Sequence, residues 1–296
     1  MKRRSVVAMP LLAWLLSGQA PPADITTLSD EFDGAAATGW SVYHDVYGWP
    51  NKLKAMDVGR TTKGALHLQP YHSGWVRDLN APFLFKTVEG DFDVRARVRT
   101  RGLTGEVPGG TWSLGGLMAR VPNGLKAATW DPRRENWPFI TTGVGFEPGK
   151  SMTETKGTYN SYSSLKLRPY RSGWIELRMV RVGMALFVLA RPDANSPWEV
   201  RDRFYRMENS PFMQVGFIAY TNSPDVAPGP EDPVKENATV NRDAKVDMAF
   251  EVDWVRFARP KAPSMPPRQW YAQVNGTNRL TNPGLTDAEI LAMLGA

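Results

Sequence analysis

Residues 89–99 read EGDFDVRARVR, and this run constrains the fold more than any other. After Gly90, residue type alternates without a break. Phe92, Val94, Ala96 and Val98 fall on one side, and Asp91, Asp93, Arg95, Arg97 and Arg99 on the other. A period of two is the mark of a β-strand with one buried and one polar face. Alternating or short apolar runs bounded by Gly, Pro, Asp and Asn recur near 65–69, 82–88, 112–121, 137–146, 151–157, 162–170, 173–181, 184–191, 200–207, 213–221 and 246–257. The expectation is an all-β chain of many short strands, to which 26 Gly and 24 Pro supply the turns. Gly115 and Gly116 inside 112–121 predict a bulge or a close approach of another chain segment.

The first twenty residues read as a leader rather than as part of the fold. Lys2, Arg3 and Arg4 precede a short apolar stretch, VVAMPLLAWLL, and Ser17-Gly18-Gln19-Ala20 supplies small residues before a cut after Ala20. A secreted or periplasmic protein is therefore expected, with residues 1–20 as signal peptide, 21–260 as one domain, and 261–296 as a Pro-rich linker and short helical tail. Thr286 and Glu289 are spaced as a capping box for a helix over 285–294. No later stretch is long and apolar enough to span a bilayer. Losing the leader's three basic residues lowers the formal charge from +6 to +3. With no Lys/Arg block, zinc pattern or recognition helix, nucleic-acid binding is not expected. The absence of cysteine excludes disulfides and thiol nucleophiles, so a hydrophobic core must hold the domain alone.

Arg95, Arg97 and Arg99 on one strand face admit two readings. They can form a solvent face, paired with aspartates on neighbouring strands. They can equally form the floor of a groove for an oxygen-rich or anionic ligand.

Several stretches together resemble a known superfamily. SDEFDG (29–34), six residues before Trp40, resembles the opening of concanavalin A-like lectin/glucanase domains, and FEVDWVRFARP (250–260) resembles their closing strand. Between them, GALHL, GDFDVRARV, GGLMAR and WIELRMVRVGMALFVLARPDANSPW follow the order seen in concanavalin A-like domains of unknown function in secreted bacterial proteins and beside β-xylosidases. The resemblance implies a jelly-roll sandwich of two antiparallel sheets, one of them concave and forming a carbohydrate groove. It also implies that Asp30, Asp33 and Asp253 could ligate a structural calcium, with no cofactor otherwise required. The chain departs from the glucanases of that superfamily in lacking E-x-D-x-E, which places two carboxylates on one strand face about 5 Å apart. The strand expected to carry it, 137–148, holds only Glu147.

The remaining candidates follow from side-chain chemistry. His72 and Tyr71, near arginines, are the types a polysaccharide lyase uses to move protons while Arg neutralises a uronate. Trp49, Trp75, Trp130 and Trp137 lie in or beside polar loops and could stack on the apolar faces of sugars, Trp75 with Arg77 being preferred. Trp40, Trp112, Trp174, Trp198 and Trp254 fall in strand patterns and are assigned to the core. Arg120 could join Arg95 or Arg97 in a cationic groove. The expected function is binding or processing of a polysaccharide or oligosaccharide. The alternatives are a lyase or hydrolase using His, Tyr and Arg, and an envelope scaffold that holds a partner through its convex face and C-terminal tail. Oligomeric state is not encoded in any visible pattern. Asn237-Ala238-Thr239 and Asn275-Gly276-Thr277 match glycosylation sequons.

Overall fold

The structure, a computed structural model, describes residues 23–205, 210–226, 232–261, 280 and 282–296. The proposed leader, most of the Pro-rich linker and Asn275 lie outside the described residues.

Fourteen strands are described. In chain order they are β1 (Ser41–Val42), β2 (Leu53–Val58), β3 (Leu66–Pro70), β4 (Phe83–Glu89), β5 (Phe92–Arg101), β6 (Ser113–Arg120), β7 (Trp137–Val144), β8 (Ser151–Tyr159), β9 (Tyr162–Pro169), β10 (Ile175–Val182), β11 (Ala185–Arg191), β12 (Glu199–Phe204), β13 (Phe212–Tyr220) and β14 (Ala249–Ala258). They form two antiparallel seven-stranded sheets. Sheet 1 has the order β1-β4-β13-β6-β7-β8-β9, and sheet 2 the order β12-β11-β10-β5-β14-β3-β2. The fold is the expected jelly-roll sandwich. Besides the C-terminal helix α3 (Asp287–Met293), the described residues include two short helices that periodicity did not mark, α1 (Tyr43–Tyr47) and α2 (Pro233–Ala238).

The alternation in β5 is realised as written. Phe92, Val94, Ala96 and Val98 are fully buried between the sheets. They meet Leu177 and Met179 of β10 and Val252, Val255 and Phe257 of β14 on one side of the core, and Leu117, Val215 and Phe217 of sheet 1 on the other. Each such aliphatic or aromatic side chain contributes about 1.5–3 kcal/mol by leaving water. Gly115 is a close approach, not a bulge: a Cβ there would collide with the Phe250 ring of the facing sheet.

The outer face of sheet 2 is divided in two. Over β10 and β11, Val180, Phe187 and Leu189 are covered by Leu285, Ile290 and Leu294 of the tail. The predicted capping box closes α3, with the Glu289 N–H donating to Thr286 Oγ1 (3.3 Å) and the Thr286 N–H to Glu289 Oε2 (2.9 Å). Arg178 donates to the Leu294 carbonyl (2.9 Å) and further ties the tail down. The scaffold reading gave this tail to a partner, but its apolar side chains are already spent against the chain's own sheet. Over β5 and β14 the same face is charged.

Candidate functional site

On sheet 1 the residues alternating with the core point outward, and they are not solvated. Leu114, Met118, Trp137, Phe139, Ile218 and Tyr220 form a second apolar layer beneath α1 and the segment 71–80. That segment runs across the sheet. At one end His72 and Ser73 pair with Thr221, just beyond β13. At the other, the Arg77 N–H donates to Ser163 Oγ of β9 (2.7 Å). Between these, Trp75 packs edge-on against Tyr43 and Trp137 at ring separations of 5.3 and 5.8 Å.

The crossing segment is fixed by buried polar groups. Asn237 of α2 accepts from the Asn80 N–H (2.9 Å) and donates to the Asp78 carbonyl (2.9 Å). Lys52 Nζ donates to the carbonyls of Asn80 (3.1 Å) and Glu236 (3.2 Å), and burial pulls its pKa down to about 8. His44 Nε2 lies 3.2 Å from Asn80 Oδ1, and burial, with Lys52 adding to it, pushes this imidazole down to about 3. Asn237 is 1% exposed with its amide engaged on both sides, so its sequon serves the fold.

A cavity of about 900 Å³ remains between this crossing segment, α2 and the loops that flank β6, β7 and β13. His72, Arg77, Asp78, Asn222 and Glu236 supply its polar groups, and Val76, Pro148 and Pro233 are among its apolar walls. His72 Nδ1 accepts the Ser223 N–H (2.9 Å), and burial holds the ring's pKa below its ordinary value. A neutral imidazole with an accepting Nδ1 carries its proton on Nε2. It offers a hydrogen-bond donor there and no basic lone pair. The adjoining sheet surface bears one acid. Glu154 of β8 is fully buried, 2.8 Å from Lys156 Nζ, and accepts from Tyr220 Oη (2.5 Å). Burial, and then the Glu154 charge, raises the Tyr220 pKa well above that of an ordinary phenol. Lys156 in turn donates to the Trp75 carbonyl (3.0 Å), which locks the floor to the crossing segment. The arrangement can hold an oxygen-rich ligand. The sheet surface offers no second carboxylate beside Glu154. Of the carboxylates lining the cavity, Asp78 accepts from the Arg133 N–H (3.1 Å) and Ser161 Oγ (2.5 Å), Asp232 caps α2 by accepting from the Val234 (3.0 Å) and Lys235 (3.2 Å) N–H groups, and Glu236 is the third.

No family model and no curated protein sequence matches the chain. Solved structures do. A functionally unknown protein from Saccharomyces cerevisiae aligns over 72% of this chain and 95% of its own, at 16% identity and a TM-score of 0.50. A glycoside hydrolase family 43 protein from Bacillus licheniformis aligns over 78% of this chain, at 10% identity and a TM-score of 0.51. What they share with this chain is the sandwich. The chain spans 39% of the length of the Bacillus protein and nearly all of the yeast one.

Within that sandwich the sequence-predicted residues separate. His72 and Arg77 line the cavity. Tyr71, next along an extended chain, is turned elsewhere, with the Arg242 guanidinium 5.5 Å from its ring. The proposed proton-moving pair therefore does not converge. Arg120 is fully buried in sheet 1, bidentate to Glu135 (2.7 and 2.6 Å) and bonded to Tyr47 and Gln214. Arg95 and Arg97 lie on the outer face of sheet 2, across the core, so the three arginines do not form one groove. Each is paired instead: Arg95 with Asp93 (3.0 Å) and Arg97 with Asp253 (2.5 Å). Arg99 pairs likewise with Glu251 (2.5 Å). Burial alone would raise the Glu251 pKa, but His67, Arg101, Thr62 and Arg99 around it hold it far below the usual carboxylate range.

The tryptophans invert the expectation. Trp49, Trp75 and Trp137, read as stacking platforms, are buried at 7%, 1% and 1% exposure, and Trp130 is half-buried against the α1 aromatic cluster. Trp40, Trp112, Trp174 and Trp254, assigned to the core, are only half-buried. Of the tryptophans assigned to strands, only Trp198 is buried, and it packs under the tail. The proposed calcium ligands are engaged separately. Asp30 accepts from the Phe32 N–H and from Trp40 Nε1 (both 2.9 Å), Asp253 holds Arg97, and Asp33 is exposed. Among the described residues no group of three or more His, Asp or Glu could hold a metal ion. Nor is any helix among them long and apolar enough to cross a membrane. Sequence reasoning missed Glu154, Lys156 and Tyr220. The signal was the run TETK in β8, which puts an acid and a lysine two apart on one face.

Proposed function

We propose that this protein is exported and binds carbohydrate without cleaving it, holding a segment of glycan in the 900 Å³ cavity over sheet 1. The observation that carries the reading is the disposition of carboxylates. On the outward positions of β6, β7, β8 and β13 the sole acid is Glu154, buried and engaged by Lys156 and Tyr220. Of the three carboxylates lining the cavity, Asp78 is held by the Arg133 N–H and Ser161 Oγ and Asp232 caps α2, so no two unengaged carboxylates face one another there. Retaining hydrolysis needs two carboxylates about 5 Å apart on the reacting bond, and inversion needs two with room for water. Fixed donors and acceptors between apolar walls are what recognition of a hydroxylated ligand requires. The superfamily resemblance and the sandwich shared with a glycoside hydrolase family 43 protein support carbohydrate as the ligand class.

The test is incubation of residues 21–296 with neutral and acidic polysaccharides. Reducing ends and the ultraviolet absorbance of unsaturated uronates are followed, with affinity gels run in parallel. The expected result is retardation without product, weakened in Arg77→Ala. New reducing ends or unsaturated uronate would refute the non-catalytic reading, and absence of retardation across the panel would refute carbohydrate binding.

A further inference from the structure

The charged half of the sheet 2 outer face contains a second cavity, of about 680 Å³, bounded by β5, β10, β11, β14 and the turn at 193–195. A solvated strand face of ion pairs would account for its arginines, but not for how β14 is built. Val252 pairs with Val98, and Trp254 with the next residue along β5, Arg97, leaving Asp253 as an extra residue. Val252 and Val255 both remain in the core. The two residues between them, Asp253 and Trp254, both line the cavity. A bulge is the device by which a strand re-aims side chains. Here it sets a carboxylate and a half-buried indole side by side, with the Arg256 guanidinium 4.3 Å from the indole ring.

The charges around them balance. Arg95, Arg97, Arg191 and Arg256 face Asp93, Glu176, Asp193 and Asp253. Three of the four arginines are paired within the cavity: Arg95 with Asp93, Arg97 with Asp253, and Arg191 with Glu176 (2.5 Å). Arg256 is held from outside by Glu31 (2.8 Å). Asp93 is shared with the buried Arg178 (2.7 Å), so with Arg178 and Glu31 included five arginines meet five carboxylates, and such a balanced array gives an anion little net attraction. A hydroxyl group both donates and accepts, so it can bridge a guanidinium and a carboxylate without separating them. Among the described residues, Arg97 spends only its Nη1 on a hydrogen bond, which leaves other donors of the guanidinium for a ligand. The turn at 193–195 is pinned by Asp193 Oδ1, which accepts from the Asn195 N–H (2.9 Å) and Ser196 Oγ (3.1 Å). It forms a rigid wall bearing the Asn195 amide.

We propose that this cavity is a second binding site, separate from the one over sheet 1, for a neutral polyhydroxylated ring such as a sugar. Trp254 takes the apolar face of the ring, and the Arg97–Asp253 and Arg95–Asp93 pairs take its hydroxyls. Ligand and charge selectivity follow: neutral rings bind, uronates gain nothing, and added salt has little effect.

The test is calorimetric titration of the whole chain with cellohexaose, xylohexaose and laminarihexaose, with oligogalacturonate as the anionic probe. Expected is a neutral oligosaccharide that binds with an affinity unchanged between low and high salt. Trp254→Ala should weaken it at least about tenfold, the scale of one lost stacking or charged hydrogen-bond contact. Asp253→Asn, which leaves the core side of β14 intact, should weaken it in the same direction. Arg77→Ala should remove only the component bound over sheet 1 and leave the Trp254-dependent component in place. Binding lost in Arg77→Ala but intact in both Trp254→Ala and Asp253→Asn would overturn this site and leave the cavity over sheet 1 standing. Two components, one lost in Arg77→Ala and the other in Trp254→Ala, would uphold both sites, and a single Trp254-dependent component untouched by Arg77→Ala would uphold this site and refute the one over sheet 1. Preference for oligogalacturonate, or loss of binding in salt, would overturn the neutral-ligand assignment. No neutral binding at all would overturn the proposal.

Discussion

Arg120 offers the sharpest test of how sheet 1 is held. Its guanidinium is fully buried, bidentate to Glu135 and flanked by the rings of Tyr43 (5.1 Å) and Tyr47 (4.8 Å). Replacing it by Met keeps much of the volume and leaves the Glu135 carboxylate, whose side chain is 11% exposed, without an opposite charge, with the Asn123 amide still donating to it (2.9 Å). Tyr47 Oη still accepts from Gln214 Nε2 (2.7 Å), while Gln214 Oε1 loses the donor it has in Arg120, a smaller cost than the stranded charge. The cost therefore sits mostly in one uncompensated charge, about 3–5 kcal/mol. In a domain of this size that corresponds to a fall in Tm of about 6–20 °C. Urea unfolding read by circular dichroism measures it directly. Removing the charge as well, in Arg120→Met/Glu135→Gln, should restore at least half of the loss, because a neutral amide can be buried far more cheaply than a carboxylate. A single variant that loses less than about 1 kcal/mol, or a double variant no better than the single, would refute the reasoning.

Three further outcomes follow from the same region. Because burial keeps His44 neutral down to about pH 3 while an unfolded chain protonates it near 6.5, its contribution is complete above 6.5 and is lost as pH falls towards 3. The slope approaches about 1.4 kcal/mol per pH unit, and His44→Gln should flatten the acid limb of a stability–pH curve. Asn237→Ala removes two buried hydrogen bonds at α2 and should cost about 1–3 kcal/mol in urea titration; in a glycosylating host, mass spectrometry of the folded fraction should find no glycan at Asn237. Trp75→Ala should cost about 3–5 kcal/mol in thermal unfolding, the penalty of a large buried cavity rather than of a lost stacking platform.

The strands were legible where a single period ran unbroken. β5, β10 and β11 alternate or are continuously apolar, and the structure places them within a residue or two of expectation. The pairing of Arg95, Arg97 and Arg99 was legible as a type of interaction, while the partners were not. Asp253 and Glu251 lie more than 150 positions along the chain, and register alone brings them opposite. The tryptophans misled for two physical reasons. Segment 71–80 is polar in composition, yet it lies over a sheet face that is itself apolar, so its Trp75 became core. In β14, a strict alternation from Phe250 would send Trp254 inward with Val252, and the bulge at Asp253 reverses that parity. Glu154 and Lys156 were overlooked because an acid and a base two apart on a strand are commonplace at a surface. Only the segment folded over them makes the pair a buried one.

The strand order has a consequence for the timing of assembly. In sheet 1, β13 lies between β4 and β6, and in sheet 2, β14 lies between β5 and β3. Each of these last two strands is a wedge that joins halves made long before it. A chain emerging from its N-terminus would thus carry β2–β3 without its neighbour, and β4 and β5 with open edges, until residues 212–258 arrive. Pairings of such long sequence separation close slowly. The unfinished molecule presents bare strand edges meanwhile, which invite a holding chaperone or a misdirected copy of itself. The maturation of this protein is therefore gated by residues 212–258. A nascent chain stalled before β13 should behave as four unjoined half-sheets, two from each sheet, not as a smaller version of the native sandwich.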